Sequence, residues 1–195
     1  MLQKPVRNLI IGQISFFVFI GVCTAIIPKF LFESNEGGIS NFGVHNSTIV
    51  PFSLAFLLSI IFTVMAAEKI KGHTKRLIQI RLVLYILASL TLLVLVSTYP
   101  YKINSTFKNL HILTGAIIFV FEMAVSFWLA LVIYKNKLNS PILLIQLLGF
   151  LAAFFTLIGV LHLLFVSQIV TGLAFGALLI RSVNYSYNHI DNKHN

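Results

Sequence analysis

Six stretches of this chain are apolar for about the thickness of a lipid bilayer, and all five prolines lie at their edges. The runs cover about 8–28, 49–67, 80–99, 110–134, 142–162 and 166–183. A hydrocarbon core ~30 Å thick needs ~20 helical residues to cross it. Pro5, Pro28, Pro51, Pro100 and Pro141 flank the runs and none falls in a run's middle. Proline lacks a backbone donor and disrupts helix interiors, so this placement marks the runs as helices. A transmembrane barrel would instead alternate apolar and polar residues over ~10-residue segments. The sequence predicts an all-α polytopic membrane protein: one bundle of six transmembrane helices over 1–183 and a polar tail over 184–195. The last two runs abut, and we place the turn between them at the polar pair Ser167–Gln168.

Composition excludes the main alternative. Charged residues are only 10% of the chain and hydrophobic residues 58%, whereas soluble domains average about 25% charged. The net charge of +9 would suggest nucleic acid in a soluble protein. Here it reads as topology. With the N-terminus inside, eleven of the fourteen Lys and Arg residues fall on the inner side and only Lys29, Lys102 and Lys108 outside. That bias is the positive-inside rule, and it predicts a cell-membrane protein with both termini cytoplasmic. Lys4 and Arg7 precede an apolar run from Leu9 to Ile27, which is long for a signal sequence and is read as an uncleaved first span. The single cysteine, Cys23, rules out an intramolecular disulfide and any CxxC motif. No internal repeat is evident, unlike many secondary transporters.

Scarcity of charge makes Glu122 conspicuous. It falls near the middle of the fourth run, where an ionised carboxylate is costly and usually faces the bundle interior or a wet cavity. His111 lies eleven residues earlier. At ~100° per residue the two share one face, ~16 Å apart along the axis. Gly115, Phe119 and Ser126 fall in the same stripe. Glu122 can serve as a proton carrier, as a counter-ion for a cationic ligand, or as a structural hydrogen-bonding group. Three histidines, His45, His111 and His162, collect on the outer side with Glu33 and Glu36. Converging imidazoles and a carboxylate would suit Zn²⁺, although no HxxxH or HxxE spacing ties any two together. Gln13 and Gln146 are expected to hydrogen-bond between helices. The GLAFG stretch at Gly172–Gly176 allows helix backbones to approach closely. Lys69, Lys71, Lys75, Arg76 and Arg81 form a basic inner loop, read as topology control with some attraction to anionic lipid.

The long outer loop contains EGGISNFG before a proline-led second helix, HxxxGxxxF opens the fourth helix, and a Gln opens the sixth. Together these features resemble the DRAM/Frag/Sfk-like membrane families and a related bacterial domain of unknown function, over nearly the whole chain. Ile39, Ser40, Asn41, Phe42 and Gly43 match the first-loop motif, with Asn41 where the family pattern carries an acid. His111, Gly115 and Phe119 match the fourth-helix pattern, and Gln168 the start of the last helix. The resemblance implies a six-helix bundle linked to lipid organisation or membrane homeostasis, with no established reaction.

The leading expectation is a bundle that binds lipid or a small amphipathic ligand in an outward-facing cavity, rather than an enzyme. Glu122 would form its floor, with Ser126 beside it, and His111, Gln168, Ser40 and Asn41 its mouth, capped by the first loop. The alternatives are a proton-coupled transporter using Glu122 and a zinc-dependent membrane hydrolase using His45, His111 and His162. Expected partners are membrane lipids and a second copy or another membrane protein, not nucleic acid.

Overall fold

The computed structural model describes residues 3–28, 38–71, 74–99 and 104–191, with no side chains for 189–191. Six long helices follow one another: α1 (Lys4–Ile26), α2 (Ile49–Lys69), α3 (Lys75–Thr98), α4 (Ser105–Trp128), α5 (Asn139–Leu157) and α6 (Leu164–Asp191). A 3-10 helix over Ile39–Val44 precedes α2, and α4 continues into a π turn over Leu129–Ile133. No strand occurs among the described residues. All six helices are long and apolar enough to cross a membrane. The fold class read from the sequence is therefore that of the structure.

Local sequence sets the helix ends. Pro5 stands in the first turn of α1, where a missing N–H costs nothing. Pro51 and Pro141 stand in the first turns of α2 and α5, and Pro28 follows α1. Pro100 lies outside the described residues. Asn104 caps α4, its side chain accepting a hydrogen bond from the Thr106 amide at 2.8 Å.

The turn between the last two spans is not where the polar residues suggest. Helix α5 stops at Leu157, and α6 begins at Leu164, so Ser167 and Gln168 lie inside α6. The stop signal is Gly159, whose φ of 78° is a left-handed conformation open to glycine at a helix C-terminus. Its amide bonds to the Thr156 carbonyl at 3.0 Å, and the Val160 and Leu161 amides both bond to the Phe155 carbonyl. The Thr156 hydroxyl then accepts from the Leu163 amide at 3.1 Å. At the other end α6 runs through most of the expected tail to Asp191.

The helices close into a ring in chain order. Helix α6 packs extensively on α5 and also touches α1, α3 and α4, while α1 pairs most closely with α2. Two apolar clusters fill the two ends. At the end holding the termini, Val6, Ala66, Leu77, Leu84, Leu129 and Leu179 pack together. At the opposite, capped end, Ile20, Cys23, Phe42, Phe52, Leu95 and Phe165 do so. The outward surface is apolar as well: Ile14, Leu82, Val120 and Leu148 are each 58% exposed. A water-soluble protein does not present such residues around its whole circumference.

Small residues set the closest approaches. A Cβ on Gly12 would stand 3.0 Å from the Phe62 side chain of α2, and one on Gly149 would stand 2.6 Å from the Thr171 hydroxyl of α6. The Gly172–Gly176 pair faces α1, with Gly176 against the Gln13 side chain. That pair therefore serves packing within the chain. Overpacking a tight contact costs ~1–3 kcal/mol. Gly149→Leu should lower stability by about 2 kcal/mol, measured by reversible unfolding in mixed micelles, whereas the same change at Gly21, where a Cβ meets nothing within 4 Å, should cost little.

Candidate functional site

The stripe of α4 carrying His111, Gly115 and Glu122 faces the interior, and two contacts fix its direction. His111 is held against α3, its Nδ1 lying 3.1 Å from the Ser97 hydroxyl and 3.4 Å from that of Thr98. On the other flank, Phe119 stacks on Phe150 of α5 at 5.5 Å. Gly115 and Glu122 fall between these flanks at ~100° per residue. The exposed residues Leu113, Ile117 and Val120 occupy the opposite face.

Glu122 is half-buried. It makes no hydrogen bond or ion pair among the described residues. About two turns away, a Cβ on Gly115 would meet nothing within 4 Å, so the space next to this stripe is open. Ser126, one turn on from Glu122, is fully buried and its hydroxyl has no partner among the described residues.

Further polar groups lie close to the depth of Glu122. The Gly149–Thr171 contact and the Arg181–Asn139 hydrogen bond set one antiparallel register for α5 and α6. In that register Gln146 stands opposite Ala174, the level at which Gln13 meets Gly172 and Gly176. The Phe119–Phe150 stack places Glu122 level with Gln146 and Leu147. Gln13 fulfils the expected interhelical role, donating from Nε2 to the Gly172 carbonyl at 2.9 Å. Gln146 does not: it is fully buried, and both its amide atoms lack partners among the described residues. The Thr171 hydroxyl is likewise unpartnered. A buried polar group without a partner costs ~1–3 kcal/mol, so this level carries a polar cost that the rest of the packed bundle offsets.

The capped end is closed by residues 38–48. Gly38 turns the chain with φ 63°, and its Cα sits so near Gln168 that a Cβ would lie 2.5 Å from that side chain's oxygen. Gln168 Oε1 accepts from the Ile39 amide at 2.8 Å. Phe42 is then fully buried, edge-on to Phe165 of α6 at 5.8 Å. The Thr48 hydroxyl donates to the Phe42 carbonyl at 2.7 Å. Gln168 is thus a latch between α6 and the cap. Ser40 and Asn41 sit half-buried in the 3-10 helix, with the Asn41 amide bonded to the Gly38 carbonyl at 3.2 Å.

His111 is a clamp between α3 and α4. The Ser97 and Thr98 hydroxyls both donate to the Val94 carbonyl, at 3.1 and 2.7 Å. Together with His111 Nδ1 they form one hydrogen-bonded group that joins α3 to α4. The three histidines do not form a metal centre. His162 is exposed on the α5–α6 connection, and His45 caps the 3-10 helix. No group of three or more His, Cys, Asp or Glu residues that could hold a metal ion occurs among the described residues. Glu33 and Glu36 lie outside those residues.

Six membrane-crossing helices with an apolar outer surface make this a multi-pass integral membrane protein. No family model, curated protein or solved structure matches the chain.

Replacing Gln168 by Leu leaves the Ile39 amide unpaired and should loosen the cap by ~1–2 kcal/mol. Hydrogen exchange over 38–48 should then quicken by about tenfold, while the amides of α1 and α2 keep their protection.

Proposed function

We propose that this protein binds a lipid or small amphipathic molecule inside its helical bundle, with the polar part of the ligand at the Glu122 level and residues 38–48 as the cap. The observation that carries this reading is the unpartnered, half-buried Glu122 on the inward stripe of α4, about two turns from the open space at Gly115. Intramembrane carboxylates are costly and tend to face a cavity or a pathway. The unsatisfied Ser126, Gln146 and Thr171 side chains add hydrogen-bonding capacity close to the same depth. The apolar surroundings of the polar level suit an alkyl chain. A carboxylate and an amide favour a headgroup that is cationic or rich in N–H donors, such as an ethanolamine or a primary amine.

The cap belongs to the same reading. In Gln168 and Ile39–Gly43, two separated motifs of the DRAM/Frag/Sfk-like pattern are joined by one hydrogen bond. Membership of those families, a cell-membrane location and cytoplasmic termini are parts of the proposal. The eleven-to-three distribution of basic residues supports that orientation and puts the cap outside.

The test is thermal unfolding of the purified protein in neutral detergent with added phosphatidylethanolamine. A ligand bound only by the folded state raises Tm in proportion to its affinity. Wild type should be stabilised, and Glu122→Gln, which keeps the side-chain volume, should need about tenfold more lipid for the same shift. Equal shifts in both proteins would refute the assignment of Glu122. Uptake of a small amine into vesicles, driven by a pH gradient and lost in Glu122→Gln, would replace binding by proton-coupled transport.

A further inference from the structure

The end of the bundle that holds the termini carries a second feature, unconnected with the Glu122 level. The π turn Leu129–Ile133 ends α4, with the Tyr134 amide bonded to the Leu129 carbonyl at 2.9 Å. The short connection to α5 is then fixed by asparagines. Asn139 is 1% exposed and donates from Nδ2 to the Tyr134 carbonyl at 2.6 Å. Asn136 donates to the Tyr134 hydroxyl and accepts from the Leu138 amide, both at 2.9 Å. Tyr134 is thereby held flat against Tyr185 of α6, ring centres 4.2 Å apart.

Arg181 completes this arrangement. Its Nε donates to Asn139 Oδ1 at 2.9 Å, and its guanidinium carbon lies 5.6 Å from the centre of the Tyr134 ring. The backbone turn, the buried asparagine and the tyrosine fix the plane of the guanidinium. Its two terminal nitrogens have no partner among the described residues. They border a cleft lined by Tyr134, Arg181, Asn184, Tyr185 and Asn188. Lys135 and Lys137 line a second hollow, on the connection between α4 and α5. No carboxylate pairs with Arg181 among the described residues.

A guanidinium held in one plane, with its terminal N–H groups open, is the geometry that grips a phosphate through two parallel hydrogen bonds. The side-chain amides of Asn184 and Asn188 on the walls add donors. The location, at the mouth of a membrane-crossing bundle, is where lipid phosphates lie. A free arginine held only for topology would need none of this fixation. We infer that the Arg181 cleft binds a phosphate group, either the headgroup of an anionic lipid or a soluble phosphate.

The test uses the full chain and two phosphate sources. In one arm, the protein sits in bilayer discs of phosphatidylcholine with or without brominated phosphatidylglycerol, and quenching of Trp128, the single tryptophan, reports lipid occupancy. In the other, inorganic phosphate is titrated calorimetrically into protein in neutral detergent. Binding in the first arm alone assigns a lipid headgroup, and binding in the second a soluble phosphate. In whichever arm binds, Arg181→Gln should weaken it by about tenfold, the loss of a charge-assisted pair. Arg181→Gln also disturbs the α5–α6 joint, so Asn188→Asp is the second variant. It leaves the Asn139 bond intact, places a like charge on the exposed wall, and should weaken binding by a similar factor. The paired substitution of Lys75 and Arg76, on the other basic loop, should change it little. Absence of binding in both arms overturns the inference. So does an equal loss from the Lys75 and Arg76 change, which would mean diffuse surface charge.

Discussion

In a lipid bilayer the hydrophobic effect does not tell a helix which face to bury, because the surroundings are as apolar as the core. Leu148 and Leu173 face outward and Leu84 and Leu178 inward with no difference in chemistry. What separates the faces is the need to satisfy polar groups where no water is at hand. Side-chain hydrogen bonds knit the ring. Gln13 ties α1 to α6, Tyr85 donates to Glu68 between α3 and α2, His111 ties α4 to α3, and Arg181 ties α6 to Asn139 of α5. Each of these bonds contributes only ~0.6–2 kcal/mol. Their value is that each fixes rotation and register, which apolar contact alone leaves loose.

Against that background the unsatisfied polar groups form a pattern. The two apolar clusters lie at the two ends. Where they meet come Glu122, Gln146 and Thr171, with Ser126 next to Val125 of the first cluster, all without partners among the described residues. Three separate helices contribute to this middle layer, so it is not one helix turned the wrong way. Glycines flank it at two of the packed seams, Gly149 between α5 and α6 and Gly176 between α6 and α1. The tight seams thus hold between them a polar layer whose hydrogen bonds are unmade among the described residues.

Much of this is legible in the sequence because hydropathy and proline placement report directly on spans. The inward stripe of α4 also follows from spacing alone, since a helix has one period. Gln168 and the Ile39–Gly43 motif each stand out, yet nothing in the chain order announces that they touch, because 129 residues separate the bonded pair. Polarity misplaces the α5–α6 turn because backbone freedom outweighs it there. Residues 158–163 are nearly all apolar, and only Gly159, with its positive φ, ends the helix. His45, His111 and His162 share an end of the bundle without sharing a site, since depth is readable from sequence and azimuth between helices is not. Arg181 reads as one more topological charge for the same reason: its fixation depends on Asn139 and Tyr134, which come from another part of the chain.

The proposed ligand space on the Glu122 stripe is most directly tested by cysteine accessibility. With Cys23→Ser as background, Gly115→Cys places a thiol on the inward stripe, and Val120→Cys places one on the apolar outer face. We expect a small water-soluble thiol reagent to modify the cysteine at 115, faster when the cap is loosened by Gln168→Leu, and to leave the cysteine at 120 untouched. A cysteine at 115 that stays as inert as the one at 120, with the cap loosened or not, would contradict a water-accessible interior.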